Sequence, residues 1–326
     1  MIKVLVIEDD EAHAELIERA FEGHRVDFCL VTKRKLNDAL AFIKANQPDI
    51  VVSDWLLPDG RGIDVIQQYK ERLPFPVLIM TSHGNEEMAV EAMKSGALDY
   101  MVKSQDVFKN MPDFVLRGLR EWEHIIARQK AEARLKQVLM QTVETLSVMV
   151  EKRDPYTSGH QKKVAQLACA IGEEMGLSTE TIDGIYIAAI LHDIGKINIP
   201  FEFLNKPGRL ELFEFDIIKN HPVSAYEMLK AIDFPYPVAR IILQHHEKYD
   251  GSGYPYGIKA EDILIEARIL TVADVVEAIS SHRPYRPSLG IEYALQEIAA
   301  NAGQLFDPDV VAACLRLFQE KGFTFN

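Results

Sequence analysis

The alternation of apolar and polar positions divides the chain into three stretches. Up to about residue 120, short apolar runs alternate with amphipathic segments of helical period, the pattern of a parallel sheet with helices on both faces. The strand candidates are 3–7, 26–31, 50–53, 77–80 and 100–102. From 113 to about 153 turn signals nearly vanish, with Gly118 the one glycine and no proline, so a single long helix is expected. Within it Leu135, Leu139, Thr142, Leu146 and Met149 step by four and three residues, the spacing of a coiled-coil seam. An earlier segment, Leu119, Trp122 and Ile126, falls out of step with it around 131–134. The same spacing suits a helix packed on the following domain or one that pairs two chains. Beyond 153 no alternation of period two stands out. Helical patterns at 164–175, 179–191, 211–220, 224–232, 237–246, 266–280 and 291–301 give an all-α domain. The expected organisation is a doubly wound α/β domain over 1–120, a helical linker over 121–152 and a helical bundle over 153–326.

Composition narrows the function classes. A chain of 326 residues, 48% hydrophobic, suits two globular domains. Its formal charge of −13 opposes general binding to nucleic acid or to an anionic membrane. Cys29, Cys169 and Cys314 are far apart, which points to a reducing compartment and away from a zinc-thiolate site. No apolar run approaches the length of a membrane span and no targeting segment is read, so a cytoplasmic protein is expected.

In a parallel sheet, chemistry gathers beyond the carboxyl ends of the strands. There stand Glu8 and Asp9, then Asp54, Thr81 and Lys103. Clustered carboxylates repel, and a divalent cation relieves the repulsion. With Mg²⁺ on Glu8, Asp9 and Asp54, one carboxylate can attack a phosphoryl donor, and Lys103 and Thr81 can meet the new phosphoryl oxygens. Each residue also has a plainer role, Asp9 or Asp10 as a helix N-cap and Asp54 in a turn, but their gathering at successive strand ends favours one site. The segments VLVIEDD, DIVVSDWLLPDGRGIDVI, PVLIMTS and SGALDYMVKS resemble the receiver domain of two-component response regulators. The resemblance implies that Asp54 is the phosphoacceptor, that Thr81 and Lys103 read the phosphate, that Tyr100 is the switch aromatic, and that a sensor histidine kinase is the partner. Ser104 follows Lys103 where many receivers have proline, a departure that bears on the usual cis peptide and not on the phosphorylation chemistry.

The helical domain carries His192-Asp193 at the end of an apolar run, in LHDIGK. An isolated pair of this kind is usually a buried hydrogen-bonded dipeptide. Here His160, His221, His245, His246 and Asp274 also sit at helix ends or within helices, where a bundle can aim them inward. Asp274, flanked by Val272, Ala273, Val275 and Val276, needs a cation or hydrogen bonds if buried. Imidazole and carboxylate without thiolate suit Fe, Mn, Ni, Co or Zn. Seven ligands fit two ions, with Asp193 as the bridge, an arrangement suited to phosphoester hydrolysis. Lys196, one helical turn from His192, can meet a phosphate oxygen.

The segments RDPYTSGH, LHDIGK, KPGRL, HPVSAYEML, HHEKYDGSGYPYG, ARILTVADVVEAI and RPYR, in that order, resemble the HD-GYP family of metal-dependent phosphohydrolases. The resemblance implies one ion on His160, His192, Asp193 and Asp274 and another on Asp193, His221, His245 and His246, with Fe, Mn or Ni the expected metals. It implies that the Gly253-Tyr254-Pro255 element shapes the substrate cleft, that Lys196 holds phosphate, and that Arg283 and Arg286 contact phosphate or guanine. Some members hold a third metal on a Glu four residues before the first ligand; Tyr156 stands there, so two ions are expected. The implied activity is hydrolysis of cyclic di-GMP to pGpG or GMP, governed by phosphorylation of Asp54. The alternatives are another cyclic dinucleotide as substrate, or an output module that binds without efficient hydrolysis. Further partners in view are a second copy of the chain through the linker helix and a diguanylate cyclase.

Overall fold

The computed structural model describes the chain except residues 23, 25, 70–72, 83–85, 153–158, 207, 209–210, 283–286 and 326. Tyr156, Arg283 and Arg286 therefore lie outside the described residues. The chain divides into two compact units, Met1–Arg134 and Leu135–Asn326.

In the first unit, strands β1 (Ile2–Ile7), β2 (Phe28–Lys33) and β3 (Ile50–Asp54) are followed by a two-residue hairpin, β4 (Leu56–Leu57) with β5 (Gly60–Arg61), and then by β6 (Val77–Thr81) and β7 (Asp99–Val102). The five longer strands form one parallel sheet in the order β2-β1-β3-β6-β7, a doubly wound topology. Side chains alternate between two apolar faces. Leu5, Ile7, Val51, Val77 and Ile79 enter one core with Leu36, Ala39 and Ile43 of α2 (Leu36–Ala45). Val4, Val6, Val52, Leu78 and Met80 enter the other with Ile17 and Phe21 of α1 (Glu11–Glu22). Burial on both faces is why these strands read as continuous apolar runs. The unit is completed by α3 (Asp64–Gln67), α4 (Glu86–Lys94), α5 (Gln105–Lys109) and the first turns of α6 (Met111–Glu151). The second strand begins two residues later than its apolar run suggests, because pairing with β1 aligns Ile2 with Phe28 and Ile7 with Lys33.

The linker is helical as expected, and α6 runs for 41 residues. Its stripe Val143, Ser147 and Val150 is buried in the second unit, with Leu139 and Met140 packed on the same core. Leu139 is thus the one residue of the proposed seam that packs there; Leu135, Thr142, Leu146 and Met149 stay exposed.

Among its described residues the second unit is built of helices: α7 (His160–Glu174), α8 (Thr179–Leu191), α9 (Phe201–Leu204), α10 (Leu212–Ile218), α11 (His221–Leu229), α12 (Val238–Gln244), α13 (Ile265–Ser280), α14 (Ile291–Ala300) and α15 (Pro308–Gln319). The α7 helix packs on α8 and α13, and α11 packs on α12 and on a 3-10 turn, Ile194–Asn198. The last helix begins with a clear signal: Asp307 Oδ1 accepts from the backbone N–H groups of Asp309 and Val310, and Pro308 follows the cap. Among the described residues no helix is long and apolar enough to cross a membrane.

Candidate metal and phosphorylation sites

At the carboxyl edge of the sheet, Glu8, Asp9 and Asp54 offer oxygens within 4.8 Å of one another. Lys103 Nζ, at the end of β7, donates to Asp54 Oδ2 at 2.6 Å and to Glu8 Oε1 at 2.7 Å. Thr81, at the end of β6, is buried beside them, and Tyr100 lies on β7 opposite Ile79. Asp10 is the helix cap, its Oδ1 accepting from the backbone N–H groups of Ala12 and His13, which leaves Asp9 for the cluster. Burial raises the Glu8 carboxyl above the ordinary range against the pull of Lys103. Glu8 Oε2 is buried without a hydrogen-bond partner. Three carboxylates with one orphaned oxygen and one lysine fit a hard divalent cation. Ser104 Oγ accepts from the backbone N–H of Val107 at 3.2 Å and caps α5.

In the second unit three histidines share one construction. The last carbonyls of a helix lack intrahelical partners. His192 Nδ1 donates to Ala189 O at 2.7 Å, His221 Nδ1 to Ile218 O at 2.8 Å and His245 Nδ1 to Ile242 O at 2.5 Å. Each acceptor is three residues earlier, at the end of α8, α10 and α12. A carbonyl only accepts, so each Nδ1 carries a proton and each Nε2 is left to the site. His221 Nε2 and His245 Nε2 stand 3.4 Å apart, lone pair to lone pair. Burial holds His221 down at about 4 and His245 down at about 3, so a proton does not bridge them near neutrality. The donor set calls for a metal cation between them.

The donors form overlapping groups within 4.8 Å: His160, His192 and Asp274; His221, His245 and His246; and His192, Asp193 and His245. Asp193 Oδ1 is 3.7 Å from His221 Nε2, and Asp193 Oδ2 is 3.6 Å from His192 Nε2. Lys196 Nζ donates to Asp193 Oδ2 at 2.7 Å. Burial acts to raise the Asp193 carboxyl, but Lys196 and the surrounding histidines hold it well below its usual range. All seven ligand candidates therefore gather in one place.

One residue escaped the sequence reading. Glu277, one turn after Asp274 on α13, is buried and accepts a hydrogen bond from His160 Nδ1, while Ser281 Oγ donates to its other oxygen at 2.6 Å. His160 Nε2 thereby faces Asp274 Oδ1 at 3.1 Å. Burial disfavours the imidazolium, yet bonds to Asp274 and Glu277 lift His160 to about 9. The signal was the i, i+3 spacing of Asp274 and Glu277, which puts two carboxylates on one helix face.

Two glycines permit the approaches that close the site. A Cβ on Gly195 would lie 1.9 Å from His221 O, so only glycine lets the turn after Asp193 rest on the start of α11. A Cβ on Gly253 would lie 2.3 Å from the backbone nitrogen of Lys248 and 2.5 Å from His246 O. The loop thus folds back onto the segment after His246, where the Tyr254 N–H donates to His246 O at 3.2 Å and the Tyr254 ring centroid lies 4.8 Å from that of His246. Glu247 Oε1 accepts from the Tyr256 N–H at 2.8 Å and ties down the far side of the loop.

Comparison with known proteins agrees with both units. A response regulator receiver domain model matches residues 4–111 and an HD domain model matches residues 144–310. The cyclic di-GMP phosphodiesterase response regulator RpfG of Xanthomonas campestris pv. campestris is 33% identical over 331 residues, covering 97% of this chain and 87% of that protein. A cyclic di-GMP phosphodiesterase of Thermotoga maritima is 32% identical over 337 residues, covering 97% and 90%. A 3'3'-cGAMP-specific phosphodiesterase 3 of Vibrio cholerae is 34% identical over 171 residues, covering 52% and 37%. A carboxylate edge and a histidine-carboxylate cluster, each inside its matching domain, accompany matches that place the chain in the family of response regulators that join a receiver domain to an HD-GYP-type phosphodiesterase domain.

Proposed function

We propose that this response regulator hydrolyses cyclic di-GMP to pGpG or GMP and that phosphorylation of Asp54 sets its rate. The observation that carries the hydrolytic centre is the apposition of His221 Nε2 and His245 Nε2 at 3.4 Å, an arrangement that a shared cation satisfies. In this reading His160, His192, Asp193 and Asp274 hold one divalent transition metal ion, and Asp193, His221, His245 and His246 hold the other. Fe, Mn and Ni suit these donors. When bound, the pair supplies the positive charge that acidifies water and offsets charge on phosphoryl oxygens. Lys196 keeps Asp193 ionised and lies ready for a non-bridging oxygen of the scissile phosphate. Tyr254 walls the cleft, and Arg283 and Arg286 are the candidates for further phosphate or guanine contacts. In the receiver, Glu8, Asp9 and Asp54 hold Mg²⁺, a sensor histidine kinase is the phosphoryl source, and Thr81, Lys103 and Tyr100 respond to the phosphate. Leu135, Thr142, Leu146 and Met149, left exposed on α6, support pairing with a second copy, which sedimentation of a Leu146→Glu variant tests.

The substrate assignment draws on two relatives that align over nearly the whole chain and are named for cyclic di-GMP. The similarity to a 3'3'-cGAMP-specific enzyme over the second unit gives the rival substrate. Protein purified without oxygen is analysed for metal and assayed on both dinucleotides. Two ions per chain and faster turnover of cyclic di-GMP are expected. Metal-loaded protein that binds cyclic di-GMP without forming product overturns hydrolysis, and faster turnover of 3'3'-cGAMP overturns the substrate.

A further inference from the structure

A cyclic dinucleotide carries two phosphodiesters. One at a time can lie against the metal ligands, and the other keeps its full negative charge through the first cleavage. Among the described residues, where that second charge rests is a question of which cations stand one step outside the cluster. Lys196 is committed to Asp193 at 2.7 Å. Lys248 Nζ lies 4.8 Å from the Phe306 ring centroid. Lys219 differs from both. It follows α10 two residues before His221, and its Nζ lies 4.7 Å from the Phe215 ring centroid and 5.9 Å from that of Tyr254. Tyr254 in turn lies against His246. The Lys219 ammonium is therefore one aromatic ring removed from the ligand cluster. Its carboxylate partner, Asp216 Oδ1, is 3.6 Å away on a side chain that is 72% exposed, a pairing that water screens.

We propose that Lys219 is a substrate-binding residue that holds the second, non-scissile phosphodiester of the cyclic dinucleotide. Two ring faces restrain the ammonium without neutralising it, since cation–π contact leaves its outward N–H groups free to donate to an anionic oxygen. Phe215, 44% exposed, presents an aromatic surface beside it, suited to a purine. This inference rests on the cyclic-dinucleotide reading above, and it explains how a site could prefer a molecule with two phosphates to one with a single phosphate.

The test compares wild type, Lys219→Ala and Lys219→Arg, each loaded to equal metal content. Calorimetric titration with a cleavage-resistant phosphorothioate analogue of cyclic di-GMP gives Kd, and turnover of cyclic di-GMP gives kcat and KM. Lys219→Ala is expected to raise Kd and KM about tenfold with kcat held within about twofold, because the contact is the same in ground and transition states. Lys219→Arg is expected to restore most of the affinity, and the salt dependence of Kd is expected to be shallower in Lys219→Ala than in wild type. A Kd unchanged in Lys219→Ala overturns the role of Lys219, as does an equal loss in both variants. Turnover absent from wild type beside a shifted Kd overturns hydrolysis alone, unchanged Kd beside full turnover overturns the lysine alone, and no binding by wild type overturns both.

Discussion

The two candidate sites of this chain solve the same problem, concentrating charge around a cation, with opposite materials. The receiver site is built of oxygen, from Glu8, Asp9 and Asp54 at strand ends, with Lys103 already salt-bridged among them. The HD site is built mainly of imidazole, with three rings fixed by carbonyls at helix ends and a fourth by Glu277. Oxygen ligands and a competing ammonium suit a hard ion that exchanges and a phosphoryl group that comes and goes. Rings whose tautomers are set before the metal arrives suit borderline ions that stay. The difference predicts that the regulatory site is permissive and the hydrolytic site is retentive.

The largest expected effect separates them completely. Asp193→Ala removes the carboxylate proposed to bridge the two ions, and turnover of cyclic di-GMP is expected to fall to the level of metal-stripped protein, with metal content falling in parallel. Full turnover by Asp193→Ala would remove the bridging role. The complementary substitution is Asp54→Asn. Labelled phosphate incorporation from a small phosphodonor is expected to drop to background while metal content of the second unit holds. A loss of both would mean that the two sites are not separately built.

How much of this was legible follows the same division. The receiver edge could be read because Glu8, Asp54, Thr81 and Lys103 each follow an apolar run, so sequence position alone puts them at strand ends. The alignment of β2 could not, since pairing with β1 and not its own apolar run decides where it starts. The seven ligand candidates of the second unit were legible as polar residues at helix ends and in an apolar helix. Their partners were not: a glutamate in a helix reads as solvent-facing, and the contact of Glu277 with His160 spans 117 positions. The α15 helix was overlooked despite Asp307-Pro308, a start signal at its head. The linker spacing was ambiguous, and packing divided it, burying Val143, Ser147 and Val150 and leaving most of the other stripe outside.

Glu277 supplies the intermediate effect and sharpens the claim that the imidazole site is preorganised. Glu277→Gln keeps the shape and removes the charge that orients His160. Loss of such a partner typically weakens metal binding by about 10- to 100-fold. Competition with a chelator is expected to show weaker binding of the metals, with the far-ultraviolet spectrum unchanged. An affinity equal to that of wild type would make Glu277 a packing residue.

The smallest expected effect concerns metal-free protein. Burial keeps His221 at about 4 and His245 at about 3, and burial beside His245 lowers His246 also. Unfolded, all three titrate near the ordinary value, roughly 6.5. Between 6.5 and 4 the unfolded chain therefore binds protons that the folded chain refuses, so stability falls as the pH is lowered through that window. His160 acts in the opposite sense. Held at about 9 by Asp274 and Glu277 against burial, its contribution is complete below roughly 6.5 and is lost as pH rises through 9. Stability of the metal-free second unit is expected to peak near 6.5 and to drop more steeply on the acid side, by about 3 kcal/mol or more, where three rings act against one. Both tryptophans, Trp55 and Trp122, lie in the first unit, so their fluorescence reports the receiver and circular dichroism reports both. The acid limb is expected in the dichroism transition and not in the tryptophan transition, and metal is expected to flatten the alkaline limb because it replaces the His160 proton. An acid limb of equal size in both signals would mean that the histidine cluster is not its origin.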